Sequence, residues 1–232
     1  MARQPLVLLP GLLNTRRVYE NQIADLADIS DSTVPELWHH DSIEAMAQAA
    51  LDAAPERFAL VGFSMGGYVA FEILRRAPER VERLALMDTQ AVPDAPEATA
   101  RRRAFIEQTR LGRFHGVQPS LLPTIVHRSR LDDQTVVQPI LDMAAEIGAD
   151  GFCREQAAII ARPDSRPLLV EIDVPTVVIV GRQDQPTPVA RAREMAADIA
   201  NARLVVLEDC GHMAPLEKPA EVSAALRRWL TQ

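Results

Sequence analysis

The sequence predicts an α/β protein with a doubly wound, mostly parallel sheet of about six strands and a helical insertion. Three observations carry that expectation. Short continuous apolar runs, such as Leu6–Leu9, Phe58–Val61 and Val177–Val180, have the pattern of strands buried on both faces. Segments with apolar residues at helical spacing separate the runs, and parallel strands need crossovers of that length. After Asp88 the alternation stops, and it resumes only at Pro175.

Taken in order, Leu6–Leu9 is the first strand, ended by Pro10-Gly11 and a loop through Leu12-Leu13-Asn14. Val18 to Leu26 reads as a helix, and Thr33–Leu37 as a weak strand. Ser42 is placed to cap the next helix, since Ile43, Met46, Ala47, Ala50 and Leu51 recur on one face. Phe58–Val61 leads into Gly62-Phe63-Ser64-Met65-Gly66-Gly67, and Tyr68–Ala77 continues as a helix. Arg83–Asp88 is the next strand. Residues 92–169 hold only helical stretches: Ala95–Phe114, Pro119–His127, Asp133–Ile147 and Gly151–Ala161. Strand Pro175–Gly181, helix Pro188–Ile199, strand Arg203–Leu207 and helix Val222–Leu230 complete the chain. Residues 1–91 and 170–232 are therefore expected to form the core domain, with 92–169 as a cap over its site.

Composition narrows the function classes. The 232 residues are 47% hydrophobic and 25% charged, as in ordinary globular proteins. A net charge of −7 argues against nucleic acid as a partner, because phosphate binding needs a basic face. Two cysteines, Cys153 and Cys210, cannot build a disulfide framework. No apolar run approaches the roughly 18 residues of a membrane helix, and no signal-peptide pattern opens the chain. The expectation is a cytoplasmic protein with no membrane partner. His39-His40, His115 and His127 lack metal-ligand spacing, so no metal and no cofactor are implied.

The chemistry is expected around Ser64. Strand, sharp turn and helix place a serine at the apex of Gly-x-Ser-x-Gly, and the strained turn needs very small neighbours at Gly62 and Gly66. A serine is a weak nucleophile until a base accepts its proton, and that base needs an orienting acid. Parallel sheets place sites beyond the C-terminal ends of their strands. Asp184 and His212 each follow a strand there, in Gly181-Arg182-Gln183-Asp184 and Gly211-His212. An oxyanion would need preorganised donors, and the Met65 N–H at the start of the helix is one.

Ser64, Asp184 and His212 in that order, with the glycine-bounded turn, resemble the α/β-hydrolase fold superfamily over essentially the whole chain. The resemblance implies Ser64 as nucleophile, His212 as general base and Asp184 as its acid. It places the second oxyanion donor at the Leu12 N–H, with Leu13 as the alternative. Asp88 is the alternative acid, since some relatives carry theirs after that strand. Two features depart from the family pattern. The two additional strands that often open the fold are absent, so the sheet should be reduced at its N-terminal side. Pro10-Gly11 stands where His-Gly is common. Cys210 is expected to be structural, because Ser64 already occupies the turn.

The function these residues imply is a serine hydrolase acting on a carboxylic ester of a small to medium apolar substrate. Leu121, Leu122, Ile125, Val126, Ile140, Leu141 and Met143 of the cap are expected to contribute the pocket's apolar wall. The same triad would serve a thioesterase, lactonase, carrier-protein methyl esterase or carbon–carbon bond hydrolase. Ser-Met-Gly-Gly also resembles the turn of cofactor-free perhydrolases. A ligand-binding relative without activity is a further class. Arg101-Arg102-Arg103, Arg110 and Arg113 read first as a solvated helix face, and alternatively as recognition of an acidic carrier protein or a substrate carboxylate.

Overall fold

The computed structural model describes residues 3–114 and 116–232. The apolar runs become neighbouring strands of one sheet. Strands β1 (Gln4–Leu9), β2 (Ser30–Thr33), β3 (Phe58–Phe63), β4 (Val81–Met87), β5 (Thr176–Gly181) and β6 (Ala202–Leu207) lie in the order β2-β1-β3-β4-β5-β6. Every neighbouring pair is parallel. From β1 the chain first winds outward to β2, then returns to place β3 on the other side of β1. That reversal opens a crevice at the C-terminal strand ends, where sheets of this kind hold their ligands.

Both faces of the sheet are covered. The helices are α1 (Glu20–Asp25), α2 (Ile43–Ala53), α3 (Met65–Arg76), α4 (Pro96–Gln108), α5 (Leu122–Ile125), α6 (Gln134–Ala161), α7 (Arg166–Leu169), α8 (Val189–Asp198), α9 (Ala214–Glu217) and α10 (Pro219–Thr231). Val7, Leu60, Leu86 and Val178 share one core with Met46 of α2, Val69 and Ile73 of α3 and Met195 of α8. Their alternate neighbours Leu8, Val61, Met87 and Ile179 share the other with Val222, Leu226 and Trp229 of α10. The two-residue period of a strand divides the runs between the cores. Each fully buried aliphatic side chain contributes about 1.5–3 kcal/mol. Ser42 caps α2 as expected, its hydroxyl accepting from the Ala45 N–H at 3.1 Å.

Several elements differ from expectation. The second strand is Ser30–Thr33, not Thr33–Leu37. It is one of the two edges of the sheet, bonded to β1 alone, and an edge strand can do without a continuous apolar run. Pro35 has no N–H to donate, and Leu37 instead buries its side chain among the residues of the first core. Val18–Leu26 splits into a 3₁₀ turn, Arg16–Tyr19, followed by α1. Pro119–His127 is likewise broken, with a 3₁₀ turn at Pro119–Leu121, then α5, then extended backbone at Val126. In α6 the backbone leaves helical geometry at Gly148 (φ 68°), between the two helices the sequence separates. No strand lies between β4 and β5 among the described residues.

Candidate active site

The turn after β3 holds Ser64 at φ 51° and ψ −115°, a conformation L-residues rarely adopt. Such a residue costs about 1–3 kcal/mol and persists only where its surroundings impose it. The Ser64 N–H donates to the Met87 carbonyl at 2.9 Å. The Thr89 hydroxyl donates to the Ser64 carbonyl at 2.8 Å. A Cβ on Gly62 would stand 2.6 Å from the Gly66 carbonyl oxygen, and one on Gly66 would run into the Leu9 carbonyl. Side chains are thus excluded at both flanking glycines, and Ser64 stands at the apex with the N-terminus of α3 behind it.

The loops after β5 and β6 bring the two other side chains to it. His212 Nε2 lies 2.9 Å from Ser64 Oγ, and its Nδ1 lies 2.9 Å from Asp184 Oδ2. An Nδ1–H donated to the carboxylate leaves Nε2 as the acceptor for the serine hydroxyl. Asp184 is buried, with two further donors on its oxygens: the Thr187 N–H at 2.8 Å and the Thr187 hydroxyl at 2.6 Å. Those bonds fix the direction of its carboxylate.

Asp88 does not reach His212 by a hydrogen bond. It sits at φ 43°, and its Oδ1 accepts from the Gly181 N–H at 2.9 Å, tying β4 to the end of β5. Burial, and then the Asp184 charge nearby, hold its carboxyl well above the usual carboxylate range. It is a strut between the ends of β4 and β5 rather than a partner of His212. Cys210 is buried, and burial pushes its thiol upward, away from the reactive thiolate.

The two candidate donors in the loop after β1 differ sharply. The Leu13 N–H is engaged, donating to Glu155 Oε2 of α6 at 2.9 Å. The Leu12 and Met65 N–H groups have no partner among the described residues. Leu13 itself stands at φ 58°. Burial pushes the Glu155 carboxyl from its ordinary 4.5 up to about 8, against the opposing pull of the Leu13 N–H. At neutral pH it is therefore protonated and neutral, a polar pin between the insertion and the loop after β1.

A second buried acid organises the histidine. Glu217 of α9 accepts from the Gly211 N–H at 3.1 Å and the Met213 N–H at 3.0 Å, bracketing His212. Its other oxygen accepts from the His127 N–H of the insertion at 2.7 Å. The His212 N–H in turn donates to the Ile125 carbonyl at 2.9 Å. Sequence reasoning missed Thr187, Glu155 and Glu217. The first has a local signal, an acceptor three residues before a threonine at a turn; the other two depend on contacts across the fold.

A cavity of about 670 Å³ opens over Ser64. Of the insertion residues expected there, Leu121, Ile125 and Ile140 line it. Leu122, Val126, Met143 and Leu141 instead pack into or against the second core. Helical spacing identifies an apolar face but not which of two neighbours the face meets. Phe105, Phe152 and Ile159 supply further apolar wall. His39 is exposed beside Glu36, His127 bonds Ser129, and His115 lies outside the described residues. Among the described residues no cluster of three His, Cys, Asp or Glu is placed to hold a metal, and no helix is long and apolar enough to cross a membrane.

The family model for the alpha/beta hydrolase fold matches residues 4–219. The chain belongs to the α/β-hydrolase fold family. Within it, the chain is 30% identical over 195 residues to a pimeloyl-[acyl-carrier protein] methyl ester esterase of Neisseria meningitidis, covering 80% of this chain and 74% of that one. A thermophilic esterase from Thermogutta terrifontis, solved with malate bound, superposes with a TM-score of 0.90 at 30% identity, over 98% of this chain and 89% of its own. The enol-lactonase of Burkholderia xenovorans LB400 gives 0.89 at 26% identity, over 100% and 93%. These relatives are hydrolases, and so is this member of the family.

Proposed function

We propose that the protein is a serine hydrolase that cleaves a carboxylic ester through an acyl-enzyme at Ser64. The observation that carries this is the relay of two 2.9 Å contacts from Ser64 Oγ through His212 to Asp184. Ser64 Oγ attacks the ester carbonyl carbon as His212 Nε2 takes the hydroxyl proton. The carbonyl oxygen becomes an oxyanion, met by the Leu12 and Met65 N–H groups, each worth about 10²–10³ in turnover. Asp184 stabilises the imidazolium, which then returns the proton to the departing alcohol. Water attacks the acyl-enzyme, gives a proton to His212, and the carboxylic acid leaves as Ser64 regains its hydrogen.

The cavity supports a small to medium acyl group, since Leu121, Ile125, Phe105 and Phe152 of the insertion give it apolar wall. The test is Ser64→Ala assayed on methyl hexanoate. The expected result is a fall in kcat of about 10⁴-fold or more with the melting temperature retained. Wild-type turnover in a clean S64A preparation would remove Ser64 from the reaction.

A further inference from the structure

Charge is distributed differently over the protein and inside its cavity. The chain carries 32 acidic against 25 basic residues. Yet among the described residues no Asp or Glu lines the cavity, whereas Arg102 and Arg113 do. A cleft with low-dielectric walls and charge of one sign focuses its field on what enters.

Arg102 is held by the fold. Its Nε donates to Asp94 Oδ2 at 2.6 Å and its Nη1 to Gln156 Oε1 at 2.8 Å. Gln156 is buried and also lines the cavity. The other oxygen of Asp94 pairs with Arg162 Nη2 at 2.7 Å. Burial of Asp94 opposes its ionisation, but Arg162 and Arg102 together hold its pKa below the usual value, so the carboxylate is charged. One carboxylate thus answers two guanidiniums, and one positive charge is left over.

That surplus faces the cavity through Arg102. Arg162 is almost fully buried; it donates to the Ile159 and Val92 carbonyls and lies 4.2 Å from the centre of the Tyr68 ring. The Arg102 Nη2, by contrast, has no hydrogen-bond partner among the described residues. Tyr68 lines the same cavity four residues after Ser64, about 6 Å along α3 at 1.5 Å per residue.

We propose that this end of the cavity is a carboxylate subsite, so that the substrate is an ester bearing a second, ionised acid group that Arg102 binds while Asp94 and Gln156 hold the guanidinium in place. The inference rests on the ester-hydrolase reading and deepens it. The free guanidinium edge of Arg102, held in place by Asp94 and Gln156, matches the two oxygens of a carboxylate.

Monomethyl adipate and methyl hexanoate make the test, because they differ only in a terminal carboxylate in place of a methyl group. Relative to wild type, Arg102→Gln is expected to lower the ratio of kcat/KM for the adipate ester to that for the hexanoate ester by about 10- to 100-fold, chiefly through KM. R102K should keep part of the ratio. Free adipate should inhibit wild-type hydrolysis of methyl hexanoate competitively, and less so as salt is raised. The inhibition decides the matter even if R102Q does not fold. A ratio indifferent to R102Q, or absence of inhibition by adipate, overturns the subsite and leaves the serine mechanism standing. Turnover of neither ester by wild type removes the mechanism and the subsite with it.

Discussion

The sheet and the inserted helices solve different problems with different surfaces. All six residues of β3 are buried, and so are the first ten of the twelve in α3. In α4 no residue is buried, and Phe105, Leu111 and Leu121 of the insertion are 41%, 62% and 44% exposed. Dense packing on both faces of β3 imposes the strained backbone of Ser64. The looser insertion presents apolar side chains to a cavity it shares with that serine. The separation is not complete, however. Glu155, the Ile125 carbonyl and the His127 N–H tie the insertion to the loops carrying Leu13 and His212. Its helices thus brace the proposed machinery as well as wall the substrate.

The largest expected effect lies on the sheet side, between two buried carboxyls. Asp184→Asn should lower kcat on methyl hexanoate by about 10⁴-fold, because an amide favours the wrong histidine tautomer. Asp88→Asn should stay within about 10-fold of wild type, since Asp88 makes no hydrogen bond to His212 and an amide oxygen can still accept from the Gly181 N–H. Comparable losses in both variants would mean that Asp88 shares the acid's role.

A smaller effect is expected at the brace. Folding raises the Glu155 pKa from 4.5 to about 8, so the folded state retains a proton that the unfolded chain releases. Its contribution is fully present below pH 4.5 and is lost as pH rises toward 8, on the order of a few kcal/mol. Glu155→Gln stays neutral and keeps an acceptor for the Leu13 N–H. Urea melts at pH 5 and pH 8.5 should show wild type losing more stability than E155Q across that interval. Parallel losses in the two proteins would contradict a neutral Glu155.

How legible each part was follows from the range of the interaction behind it. The central strands are apolar on both faces, and that shows in four adjacent residues such as Phe58–Val61. The serine turn is equally local, because Gly62 and Gly66 must stay bare within two positions of Ser64. Asp184 and His212 were legible because parallel topology sends each strand end to the same edge. The edge strand Ser30–Thr33 was not, since Ser-Asp-Ser-Thr contains no apolar residue, whereas the other edge, β6, keeps an apolar run. Glu155 reads as an ordinary acid of the helical stretch Gly151–Ala161, and Glu217 falls outside every element the sequence defines. What makes them structural is a backbone N–H 142 residues away for one and 90 for the other.

The central claim is that Ser64 carries the acyl group. Incubating wild type with a fluorophosphonate and locating the adduct by peptide mass spectrometry tests it directly. One phosphonyl group on the peptide containing Ser64, with loss of ester turnover in proportion and no labelling of S64A, is the predicted result. Full ester turnover by a protein that stays unlabelled, or an adduct at another residue, would contradict it.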